Sequence, residues 1–175
     1  MRVKIIDDDG KEIGCLERSY LVRLGLRHQI ARVMLYCKED SSILLQQRSL
    51  TKDSCPGMWD TSSSGHVDAH EDAIDAARRE LYEEIGIHAD ASDLTYIGSF
   101  DTKEQLTDGM LKRETVVYGL GITSNEDVQP RVDPIELNGI EWVAISKINK
   151  FTLTPGAQQS LHLFSEWYHR GRQDS

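Results

Sequence analysis

The sequence predicts an α/β (α+β) fold, a mixed β-sheet sandwiched between helices. Short apolar or alternating runs recur along the chain, two stretches place apolar residues three and four apart, and turn-forming residues separate them. The 175 residues, 39% of them hydrophobic, suffice for one conventional core. No repeat, low-complexity tract or Pro/Gly/Ser linker divides the chain, so residues 1–175 are expected to form one domain.

The elements follow in order. Val3 to Ile6, the turn Asp7-Asp8-Asp9-Gly10 and the return through Ile13 to Leu16 predict a hairpin. Gln29 to Cys37 and Ile43 to Gln47, separated by a polar segment, predict an antiparallel pair. Asp72 to Ile85 aligns Ile74, Ala77, Leu81 and Ile85 in one apolar stripe, the mark of an amphipathic helix, and Gly86 fits the left-handed residue that closes it. Thr95 to Phe100, Thr115 to Ile122 and Gly139 to Ala144 supply three more strands. After Thr154-Pro155, Leu161, Phe164 and Trp167 or Tyr168 predict a second helix. Trp59, Trp142 and Trp167 are expected in or beside the core, with Trp59 the best placed to stack on a base.

Composition narrows the function classes. A formal charge of -9 argues against a broad nucleic-acid-binding face, which needs a basic surface. A small phosphate-bearing ligand needs only a few local cations and stays open. No apolar run approaches the roughly 20 residues that span a bilayer, and Met1 to Gly10 is charged rather than signal-like, so a soluble cytoplasmic protein without a membrane partner is expected. Cys15, Cys37 and Cys55 are odd in number and form no CxxC pair, so they are expected as reduced thiols.

The chemistry concentrates between Gly65 and Ile87. Glu80, Glu83 and Glu84 stand at i, i+3 and i+4 of the predicted helix, so their carboxylates emerge on one face. Such an oxygen-rich cluster suits Mg²⁺, which keeps several waters and shares its remaining positions with substrate phosphates. Like charges at these spacings cost roughly 0.2 to 0.5 kcal/mol each, and the helix dipole disfavours anions at the C-terminal end. A bound cation offsets both. Glu71 is expected to pair with or orient Arg79. Arg48 and Lys52, just before Pro56-Gly57, are candidates for holding phosphate oxygens, and Glu114 is a candidate further carboxylate.

Glu71 follows Gly65 after five residues, and Arg79-Glu80-Leu81-Tyr82-Glu83-Glu84-Ile85-Gly86-Ile87 follows after seven more. This resembles the complete Nudix box. Seven fixed residues at about one chance in 16 each make a random match on the order of one in 10⁸ windows. The resemblance implies the Nudix fold and a Mg²⁺-dependent hydrolase, with Mn²⁺ as a substitute. It implies metal ligation by the Gly65 carbonyl, Glu80, Glu83 and Glu84, with Glu114 as an added ligand. Glu80, Glu83 and Arg79 would serve catalysis, and Glu71 would position them. The expected reaction is attack of water on one phosphorus of a small-molecule diphosphate, a nucleoside diphosphate linked to X. The identity of X and the oligomeric state, a homodimer included, stay open.

Two alternatives stand beside it. The pattern Arg48, Lys52, Pro56-Gly57, Trp59 resembles the isopentenyl diphosphate isomerase branch of the superfamily, over much of Val3 to Ile87, and implies that these cations contact the diphosphate. That branch uses a catalytic cysteine just before a Gly-His pair, whereas Ser64 precedes Gly65-His66 here. A hydroxyl is far less acidic than a thiol of pKa about 8.5. The isomerase metal site also draws on several histidines and two downstream glutamates. His66, His28 and Glu114 match, but Lys112 takes the place of the other glutamate. A complete box favours hydrolysis. It also disfavours the third class, a non-catalytic nucleotide-binding module, which is expected to have lost box glutamates.

Overall fold

A computed structural model describes residues 2–52 and 54–173. Among them, nine strands form one mixed sheet: β1 (Arg2–Ile6), β2 (Glu12–Glu17), β3 (Arg27–Cys37), β4 (Ser42–Arg48), β5 (Trp59–Asp60), β6 (Ser63–His66), β7 (Leu94–Leu106), β8 (Gly109–Ile122) and β9 (Leu137–Ala144). The α-helices are α1 (Arg18–Leu21), α2 (Ala73–Ile85) and α3 (Pro155–Gln173).

Strand β3 is the hub. On one flank it pairs in parallel with β8 from Arg27↔Lys112 to Cys37↔Ile122, and β8 pairs antiparallel with β7. Its other flank is shared: β1 meets it at Ile5↔His28, β6 from Ile30↔His66 to Val33↔Ser63, and β4 at Tyr36↔Ile43 and Cys37↔Ser42. A strand enclosed by neighbours and covered on both faces reads as a nearly continuous apolar run, as Ile30 to Cys37 does apart from Arg32.

Alternation along β3 divides the core. Ala31, Val33 and Leu35 face α2 and pack with Ala76, Ala77, Leu81 and Ile85. Met34 and Tyr36 face α3 and pack with Ala157 and Phe164. The expected sheet between helices is therefore present. Fully burying a side chain such as Leu81 or Phe164 stabilises by roughly 1.5–3 kcal/mol, and this anchors each helix to its face. Helix α2 ends where Gly86 takes φ 71°, its N–H bonding the Tyr82 carbonyl at 2.9 Å.

The strands depart from the sequence expectations in three places. The β3–β4 pair is antiparallel but short, because β6 occupies the rest of that flank. The β7–β8 hairpin runs well beyond the expected strands: Asp101 to Leu106 pairs with Gly109 to Glu114, outside the main apolar clusters. Strands β5 and β6 were not expected at all, since Ser63-Ser64-Gly65-His66 has no apolar alternation. Trp59 packs edge-on to Phe151, ring centroids 5.1 Å apart, and belongs to the α3-side cluster rather than standing open to a base. The three cysteines form no disulfide, and among the described residues no helix is long and apolar enough to cross a membrane.

Candidate active site

The site is built where α2 lies on β6. Gly65, opposite Ala31, faces the helix, and a Cβ there would fall on the Glu80 carboxyl group. The glycine thus lets a carboxylate press directly onto the strand. Just before α2, Glu71 accepts the Asp68 N–H at 2.9 Å and receives Arg79 as a fork: Nε to Oε1 and Nη2 to Oε2, both at 3.0 Å. Arg79 Nη2 also donates to the His66 carbonyl at 3.0 Å, and Nη1 to Glu80 at 2.7 Å and Glu83 at 3.2 Å. One guanidinium therefore ties the loop, the strand and two box glutamates into a single array. Such bidentate, charge-assisted contacts are the strong class of hydrogen bond.

The electrostatics follow from this array. The Glu71 bond holds the Arg79 guanidinium firmly protonated against its burial. Burial alone would raise the Glu71 carboxyl, but Arg79 and the Asp68 amide hold it below its ordinary value. Burial raises Glu80 despite Arg79, with the charges of Glu83 and Glu71 adding. Glu84 is pushed up to about 8 by burial, against hydrogen bonds from the Ser64 N–H and Gln46, while the charges of Glu80 and Asp60 add to the rise. Its Oε2 accepts Ser64 N at 3.0 Å and Gln46 Nε2 at 3.1 Å.

Among the described residues no three Asp, Glu, His or Cys side chains already converge on one metal position. Glu80 and Glu83 are turned to Arg79, and Glu84 to β6. The donor set nonetheless suits a hard divalent cation. It is all oxygen, Glu84 meets only uncharged donors and neighbouring negative charge, and Gln46 Oε1 beside it is buried without a hydrogen-bond partner.

The remaining candidates are dispersed. Glu114, on β8, accepts Gln29 Nε2 at 2.9 Å and faces the Gly10 turn. Arg48 donates through Nε and Nη2 to the Ser54 carbonyl, with Nη1 3.8 Å from Asp60, and Lys52 pairs with Glu136. His28 and His66 stack at a centroid distance of 5.4 Å. Burial holds both rings neutral, His28 down at about 4 and His66 at about 3, and the positive charges of Arg113 and Arg18 act in the same direction.

Sequence reasoning missed Arg32, Asp60 and Arg113. Arg32 pairs with the buried Asp60, whose Oδ1 also accepts the Thr61 N–H at 2.8 Å. Arg113 lies beside His28 in the register. A signal was available for Arg32, an arginine interrupting the apolar run Ile30-Ala31-Arg32-Val33-Met34. Arg113, among Lys112 and Glu114, looked like ordinary strand surface.

Comparison with known proteins agrees with this architecture. The model of the NUDIX domain matches residues 27–164, and the chain belongs to the Nudix family. It is similar to an isopentenyl-diphosphate Delta-isomerase of Rhodobacter capsulatus, 32% identical over 133 residues, covering 76% of this chain and 73% of that protein. It is also similar to Nudix hydrolase 3 of Arabidopsis thaliana, 37% identical over 84 residues, which cover 47% of this chain and 11% of that protein. In structure it resembles DR0079 of Deinococcus radiodurans, with a TM-score of 0.69 at 21% identity, over 94% of this chain and 98% of that one.

Proposed function

We propose that the protein is a Mg²⁺-dependent hydrolase of a diphosphate linkage, with a nucleoside diphosphate linked to X as substrate class. The observation that carries this reading is the charge around His28 and His66. In the isomerase branch the matching histidines belong to a metal site completed by two glutamates. Here Arg113 and Arg18 bring positive charge to the pair, and Lys112 replaces one glutamate. Positive charge at this place disfavours a divalent cation. The complete box on the other face keeps its carboxylates, and Ser64 offers no acidic thiol.

Glu80, Glu84, Glu83 and the Gly65 carbonyl would hold the metal. When bound, magnesium supplies charge neutralisation on the phosphate oxygens and a more acidic attacking water. Glu83, with 55% of its side chain exposed, is the box glutamate that water reaches most easily, and it orients that water and takes its proton. The water oxygen bonds to phosphorus as the bridging P–O bond breaks, and the departing phosphate takes the electron pair. Arg79 fixes Glu80 and Glu83 for this step. Arg48 and Lys52 hold phosphate oxygens once they leave Ser54 and Glu136.

The test is a pair of incubations with Mg²⁺. A panel of nucleoside diphosphate derivatives should yield phosphate-containing products, while isopentenyl diphosphate should yield no dimethylallyl diphosphate. Interconversion of the two isoprenoid diphosphates at about 1 to 10³ s⁻¹, ordinary for an enzyme, would overturn the hydrolase reading.

A further inference from the structure

The face of β3 turned away from α2 carries more positive charge than it balances. Arg32 reaches the first turn of α3, where a Cβ at Gly156 would collide with its guanidinium. Arg113, the register partner of His28, faces the same side. The buried carboxylate of Asp60 is already shared by Arg32, Arg48 and the Thr61 N–H. Among the described residues Arg113 has neither a hydrogen-bond nor an ion-pair partner, and its Nε is buried. Arg32 Nε is buried without a partner as well. Glu104, Asp60 and Cys55 are close enough to act on Arg113 through their charge, but Glu104 is exposed, Asp60 is shared with Arg32 and Arg48, and burial together with Arg32 outweighs all three.

A half-buried guanidinium with no ion-pair or hydrogen-bond partner of its own costs stability, so its retention points to a ligand. His28 and His66 stack beside it, and His28 Nδ1 bonds the Leu26 carbonyl at 3.1 Å, which leaves Nε2 for other contacts. This face also adjoins the acidic one. Ser64, the register partner of Arg32, bonds Glu84 through its N–H, and the charge of Asp60 is felt by both Glu84 and Arg113.

We propose that Arg113 and Arg32 form an oxyanion subsite that holds a second phosphate or carboxylate group of the substrate, on the part that is not cleaved. Calling the ligand substrate rests on the hydrolase reading above; the anion site itself does not. The subsite selects substrates that carry negative charge beyond the scissile diphosphate.

The experiment separates the two. In EDTA, where no turnover occurs, wild-type protein and Arg113→Met are titrated with inorganic pyrophosphate and, in parallel, with citrate, following Tm. Wild type should show a saturable rise with at least one of them: pyrophosphate assigns the group as phosphate, citrate as carboxylate. Arg113→Met should need at least tenfold more anion, and its ligand-free Tm should rise because a half-buried charge with no ion-pair partner is gone. Arg113→Lys, which keeps the charge but loses the fork, should bind with intermediate strength. Equal anion affinity in wild type and Arg113→Met would overturn the proposal, as would a lowered ligand-free Tm or loss of folding in that variant, since the guanidinium would then be structural. Turnover with Mg²⁺, measured separately, decides the hydrolase reading.

Discussion

The two faces of the β3–β6 pair differ in how their charge is settled. Toward α2, Gly65 lies under Glu80, and Arg79 bonds Glu71, Glu80, Glu83 and the His66 carbonyl. Toward α3, Arg32 and Arg113 keep buried nitrogens without partners. Adjacent positions on β3 and β6 thus border opposite electrostatic environments, Ala31 and Gly65 the glutamates of α2, Arg32 and Ser64 the arginines, because the pleat sends side chains to opposite sides. The acidic face is organised by a protein cation, with Glu84 left over. The basic face is short of anions. A cation for the first and an anionic group for the second would complete both, as the proposed magnesium-bound phosphate substrate would.

The largest effect is expected at Glu84. Glu84→Gln keeps the Ser64 contact but removes the carboxylate, and kcat should fall on the order of 10² or more with little loss of fold. EDTA should abolish turnover in wild type, with Mg²⁺ or Mn²⁺ restoring it. Near-normal kcat in the variant would remove Glu84 from the metal ligands. Next comes Arg79→Lys, which retains charge but cannot span Glu71, Glu80 and the His66 carbonyl together. Its kcat should drop about 10- to 100-fold, the range for residues that orient metal ligands. Steady-state kinetics with unchanged kcat would show that the guanidinium array only stabilises the fold.

A smaller effect is expected from the cations before the Pro-Gly turn. Arg48→Ala or Lys52→Ala should raise KM about tenfold with kcat nearly kept, as a single charge-assisted contact is worth roughly 1.5–3 kcal/mol. Unchanged KM would leave Lys52 as the partner of Glu136 and nothing more.

The smallest expected effect is a pH dependence of stability. His28 and His66 are depressed from 6.5 to about 4 and 3, so the unfolded chain binds more protons than the fold, and stability should rise with pH up to about 6.5. Glu84 is raised from 4.5 to about 8, so the fold binds more protons there, and its contribution should fade as pH climbs toward 8. In EDTA, Tm should therefore peak near pH 6.5 and fall toward 8, as the unfolding free energy drops by at most about 1.4 kcal/mol per pH unit for one proton. Glu84→Gln should flatten the alkaline side. A slope unchanged in that variant would assign the titration elsewhere.

The acidic face was largely legible in the sequence and the basic face was not. Glu71, Arg79 and the glutamates stand at fixed spacings along one helix and its approach, so local periodicity places them together. Arg32, Asp60 and Arg113 come from β3, β5 and β8 and meet only through sheet pairing, for which a sequence carries no local signal. Strand β6 escaped for a related reason. Its serines are satisfied or enclosed by the fold, Ser62 just before it bonding the Leu44 carbonyl at 2.6 Å, and not by any apolar pattern. The outer part of the β7–β8 hairpin carries no sequence signal either, because strands outside the main core need no hydrophobic alternation.

The parallel pairing of β3 with β8 has a consequence for how the molecule comes into being. Gln29 meets Glu114 and His28 meets Arg113 across more than eighty intervening residues, which include β6 and α2. Contacts of such separation carry the loop-closure cost before they return any stabilisation, and they slow folding. On a ribosome, β3 must wait for β8 to be made before its flank is closed. A nascent chain halted before Gly109 already contains every residue of the box, yet it lacks the strand that supports one side of β3. Catalytic competence should thus appear late and abruptly during synthesis, with the arrival of the hairpin rather than of the glutamates.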